Sequence, residues 1–91
     1  MIRDDLPGAE LVTKGLSDLS AGLPTIEALL VLIGAPRLRR AGVAVPESAI
    51  LDPEMALYEI LENEDRRTAH SRYNALLRRL VSFERAIECV A

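Results

Sequence analysis

Between Ala69 and Val90 the apolar side chains recur at steps of 4, 3, 4, 3, 4 and 3: Ala69, Tyr73, Leu76, Leu80, Phe83, Ile87 and Val90. A mean step of 3.5 residues holds these side chains along one edge of an α-helix, whereas a strand of period two would scatter them over both faces. Neither glycine nor proline interrupts the segment. A helix about 33 Å long is therefore predicted at 1.5 Å per residue. In a chain of 91 residues, a rod of that length leaves room only for short elements packed around and along it.

Hydrophobic residues make up 49% of the chain, but aromatics only 3%, with no tryptophan. An aliphatic core at helical spacing fits an all-α bundle, and strand-forming residues are too sparse for a sandwich or barrel. The expectation is a single helical domain over residues 1–91, of four to five helices with a long last one.

Upstream of the long segment, each helix carries its own start and stop. Leu6-Pro7-Gly8 reads as a turn leading into a first helix over Ala9 to Ser20, with Val12, Leu16, Leu19 and Leu23 on one stripe and a stop at Gly22 and Pro24. Gly15 either weakens that helix by about 1 kcal/mol or marks a close neighbour. Thr25 opens a second helix. Ile26 to Ile33 is apolar at every position but Glu27, so this helix is expected to be buried on all sides. Gly34 ends it as a C-terminal glycine, and Pro36 starts a short turn closed by Gly42, with Val43, Val45 and Pro46 as an extended connector. Asp52-Pro53-Glu54 begins a further helix with Ala56, Leu57, Ile60 and Leu61 buried. Extending the C-terminal register backwards puts Glu59, Glu62 and Arg66 on the seam, so a turn is expected near Asn63 to Arg67, with Asn63 or Asp65 capping the last helix. The expected core is Ile26, Leu29, Leu30, Ile33, Leu57, Leu61, Leu76, Leu80 and Phe83.

Charge reverses across that turn. Seven acids and no bases lie between Glu47 and Asp65, then six arginines and one acid between Arg66 and Arg85. Across an antiparallel hairpin this would bring Glu59 or Glu62 beside Arg66, Arg72 or Arg79. Exposed pairs contribute about 0–1 kcal/mol each, so they select orientation and partner more than they stabilise.

Catalysis has little to build on. His70 and Cys89 are the only residues of their kind and stand about 28 Å apart along one helix, too far for a Cys–His pair. The acids show no Glu-x-x-His spacing for a metal, and no glycine-rich phosphate loop or nucleophile elbow occurs. Arg66, His70 and Tyr73 at i, i+4 and i+7 read as a polar rim. No catalytic, metal or cofactor site is expected, and therefore no enzyme. A membrane span needs about 20 apolar residues, and the longest run here is Ala28 to Ile33. One cysteine allows no internal disulfide, and Met1 to Asp5 contains no apolar leader, so the expected compartment is the cytoplasm.

What remains is a partner-seeking surface. The expected function is a small cytoplasmic protein–protein interaction module that pairs with itself, as a homodimer, or with another helical protein through its long last helix. The interface residues would be Tyr73, Leu77, Leu80, Val81, Phe83 and Ile87, with Arg72 and Arg79 at the rim. The alternative is a nucleic-acid-binding regulator using Arg37, Arg39 and Arg40, which follow a faint helix-turn-helix arrangement, or the arginine-rich last helix. Against it, the net charge is −3, and phosphate attraction needs an uninterrupted positive footprint.

Overall fold

Glycines and short polar side chains divide the chain into five helices, α1 (Ala9–Ser20), α2 (Ile26–Ile33), α3 (Ala35–Arg40), α4 (Pro53–Glu64) and α5 (Ala69–Val90). The computed structural model describes residues 5–90. Met1 to Asp4, part of the stretch read as containing no leader, and Ala91 lie outside them. Among the described residues the fold is all-α, as expected.

The helix ends show why these boundaries fall where they do. Gly8 adopts φ +77° ahead of α1, and Ala9 N–H donates to the Leu6 carbonyl at 3.1 Å. After α1, Gly22 turns left-handed at φ +75°. Its N–H donates to Leu19 O, and Leu23 N–H donates to Asp18 O, a Schellman closure that satisfies carbonyls the helix leaves open. The same closure ends α3: Gly42 sits at φ +94°, and Val43 N–H donates to Leu38 O at 3.0 Å. Thr25 Oγ1 caps α2 by accepting from Ala28 N–H at 3.2 Å, and Asp52 Oδ1 caps α4 by accepting from Met55 N–H at 3.1 Å. Between α4 and α5, Asp65 Oδ1 accepts from Arg67 N–H. Neither residue expected to cap α5 does so: Asn63 lies inside α4 and Asp65 closes its C-terminus, while Thr68, directly before α5, accepts from Arg72 N–H through its carbonyl.

Gly34 departs from expectation. Its φ is −88°, a conformation open to any residue, so its value is space. A Cβ there would come within 2.8 Å of Glu84 Oε2 and about 3 Å of both Leu80 methyls. Gly34 thus lets α5 cross close to the junction of α2 and α3. Gly15 does the same for α1 and α2: a Cβ would lie 2.4 Å from the Glu27 carbonyl oxygen. Of the two readings left open for Gly15, close packing is the correct one.

α2 is the hub, in contact with each of the other four helices. Its Ala28, Leu29, Leu30 and Val31 are enclosed, and the last three join Val12, Leu38, Leu57, Leu61, Leu80 and Phe83 in one apolar cluster. Each large aliphatic or aromatic side chain removed from water in this way contributes about 1.5–3 kcal/mol. Ile26, Ile33 and Leu76, expected in the core, are only partly buried at its edge. Val12, Val31, Leu38, Val43 and Val45 complete it. The last two belong to the connector after α3, which the Arg39 guanidinium fastens by donating to Val45 O at 3.1 Å.

Candidate functional site

The long helix presents two apolar strips that differ in fate. The inner one is the seam from Ala69 to Val90. Ala69, Leu80 and Phe83 are enclosed, and Tyr73, Leu76 and Ile87 pack on the cluster from its margin. At the far end Val90 remains 51% exposed. Leu80 and Phe83, expected at an interface, are therefore consumed by their own fold, because α2 and its neighbours reach the middle of α5. The seam overhangs its own fold only at its last residue.

The outer strip is formed by Leu77 and Val81, one turn apart and half-buried. With Asn74, Arg78, Ser82 and Arg85 they line a shallow, open depression of about 450 Å³. A smaller one adjoins it, lined by Pro7, Gly8, Ala75, Arg79 and the shared Arg78 and Ser82. No acid lines either depression. Gly8 shapes the smaller one, for a Cβ there would meet the Arg79 carbonyl at 2.8 Å.

Five of the nine arginines among the described residues are committed elsewhere. Arg37 reaches from α3 to α5, donating through Nε and Nη2 to the Glu88 carboxylate at 2.6 and 2.8 Å and through Nη1 to Glu84 at 3.4 Å. Arg39 also stands 3.7 Å from Glu47. Arg72 pairs with Glu64 at 2.9 Å, Arg79 with Glu10, and Arg67 with Asp65 at 3.9 Å. The expected zipper of Glu59 and Glu62 against the basic helix does not form, since Arg79 faces α1 and Arg72 meets the end of α4. Glu59 and Glu62 stay exposed. Among the described residues they close no ion pair, and neither do Arg78 and Arg85. This pattern breaks up the positive surface on which nucleic-acid binding would depend.

Electrostatics at the α3–α5 contact are unequal. Burial pushes the Glu84 carboxyl above its ordinary value, with Arg37 opposing; it is the one charged side chain buried among the described residues, 5% exposed. Glu88 is held below its ordinary value, chiefly by its hydrogen bonds from Arg37. At the α1–α2 turn Asp18 is likewise held low, first by its hydrogen bond from Lys14 and then by that from Thr25.

The remaining sequence candidates resolve into packing. Tyr58 lies edge-on to Tyr73, ring centres 5.5 Å apart, and to His70 at 6.5 Å. Tyr73 donates its hydroxyl to Glu54 at 3.3 Å, and burial raises its pKa. His70 Nε2 and the Asn74 amide nitrogen are 3.2 Å apart. Arg66 lies in the turn before α5, so the Arg66–His70–Tyr73 trio does not share a helical face. Neither depression on α5 includes any of the three. No cluster of three or more potential metal ligands occurs among the described residues, and no helix is long and apolar enough to cross a membrane.

Comparison with protein families, with curated proteins and with solved structures finds no match to this chain in any of the three.

Proposed function

We propose that this protein is a small helical protein–protein interaction module that associates with a second copy of itself through the outer face of α5. One observation carries the reading: Leu77 and Val81 form an apolar strip that the fold leaves half-uncovered, bordered by two arginines without ion-pair partners among the described residues. Covering such a strip releases the water over it and favours association. The bordering charges would set orientation. Catalysis has no comparable support, since the titratable groups around His70 are occupied by ring packing and hydrogen bonds. Nucleic-acid binding through Arg37 and Arg39 would have to compete with contacts to Glu84, Glu88 and the Val45 carbonyl.

The same proposal assigns the protein to a reducing, cytoplasmic setting, in which Cys89, exposed near the end of α5, stays a thiol. Light scattering on the eluted protein tests self-association. A mass above that of one chain is expected at ~100 μM, because covering the apolar strip favours association. A mass of one chain in both low and high salt rejects the reading.

A further inference from the structure

The outer strip of α5 has a counterpart on α4. Leu51, just before the helix, is 99% exposed, and Met55 in its first turn is 57% exposed. Glu59 and Glu62 follow Met55 at steps of 4 and 3 and are also exposed. Steps of that size place Met55, Glu59 and Glu62 on one face. That face has a bare apolar end, continued by Leu51, and an acidic end. On α5 the strip has apolar Leu77 and Val81 with Arg78 and Arg85 alongside. Arg78 to Arg85 and Met55 to Glu62 each span seven residues, about 10.5 Å of helix. One face is apolar and acidic, the other apolar and basic, and their lengths agree.

Resting on the self-association proposed above, we infer that the outer strip of α5 receives the Leu51–Met55–Glu59–Glu62 face of α4 from a second copy of this chain. A pairing of α5 with α5 does not satisfy the same surface. Arg78 and Arg85 border the strip and no acid lines it, so parallel and antiparallel pairings both bring arginines against arginines. Like charges in apposition oppose association, whereas Glu59 and Glu62 supply the opposite sign. Leu51 and more than half of Met55 supply apolar area that the described residues leave bare.

The arrangement is tested by charge reversal on each side separately. Arg78→Glu with Arg85→Glu makes both faces acidic, and Glu59→Arg with Glu62→Arg makes both basic. All four side chains are exposed and outside the core cluster, and unchanged far-UV circular dichroism verifies the fold of each variant. Each double variant alone is expected to self-associate at least about tenfold more weakly than the parent. An equimolar mixture of the two restores association, because every contact in the mixed pair then joins opposite charges. Leu51→Ser with Met55→Ser weakens association without changing charge. Retained self-association of the Glu59→Arg, Glu62→Arg protein overturns the inference while leaving association through α5 standing, and so does a mixture that fails to recover. A parent protein that stays monomeric overturns both.

Discussion

At the scale of single residues, a missing side chain lets α1 and α2 cross closely. Gly15 sits inside α1, where alanine is intrinsically favoured by about 1 kcal/mol. A Cβ there would meet the Glu27 carbonyl at 2.4 Å and the Val31 methyl at 2.5 Å. The obstacle is partly backbone, which cannot rotate away, and overpacking of this kind costs about 1–3 kcal/mol. Gly15→Ala is therefore expected to destabilise the protein despite the better helix former. Gly34→Ala is expected to cost less, since Glu84 Oε2 and the Leu80 methyls belong to side chains that can shift. Denaturant midpoints of the two variants check the order, and a Gly15→Ala protein more stable than the parent contradicts the close crossing of α1 and α2. The sequence left two explanations of Gly15 open because a glycine in a helix looks the same whether it weakens the helix or admits a neighbour. Which applies depends on α2, a separate segment of the chain.

At the scale of elements, α3 is held to α5 by Arg37 between Glu84 and Glu88, and these two carboxylates titrate in opposite senses. Glu84, raised by burial, is protonated more readily folded than unfolded. Its contribution is fully present at low pH and is lost as pH rises through its folded value. Glu88, lowered by Arg37, contributes above the ordinary carboxylate range and loses that contribution as pH falls. Relative to the parent, Glu84→Gln is thus expected to be more favourable at neutral pH than at about pH 3.5, and Glu88→Gln less favourable at neutral pH than at that acidity. Denaturant unfolding at the two pH values measures both signs, and parallel pH profiles for the two variants contradict the assignment. The sequence marked Leu80 and Phe83 as seam residues but gave no sign that Glu84 beside them is buried. Its burial follows from the missing side chain at Gly34, fifty positions away in the chain.

At the scale of the whole molecule, four helices packed on a central α2 leave two faces uncovered by the described residues, on α4 and on the outer side of α5. If association covers them, it stabilises the folded chain by mass action, because the unfolded chain has no such faces to pair. Thermal unfolding is then expected to shift upward between ~5 μM and ~200 μM protein at low salt, with the shift reduced at high salt. A midpoint independent of concentration at low salt contradicts the linkage. The net charge of −3 conceals this two-faced distribution. Its opposite signs lie in neighbouring blocks along the chain, yet the structure pairs Arg72 and Arg79 with Glu64 and Glu10, while Glu59, Glu62, Arg78 and Arg85 close no ion pair among the described residues.

The helical class, the positions of the helices, the break between α4 and α5 and the edge of α5 that faces inward were legible from periodicity and from the glycines, prolines and caps at helix ends. These depend on interactions between residues a few positions apart, which a linear pattern records. How much of that edge the protein covers for itself, why Gly15 and Gly34 are glycines, why Glu84 is inside, and which charges stay unpaired were decided only by the tertiary structure. Each of these depends on the distance between helices far apart in sequence, and local spacing contains no measure of it.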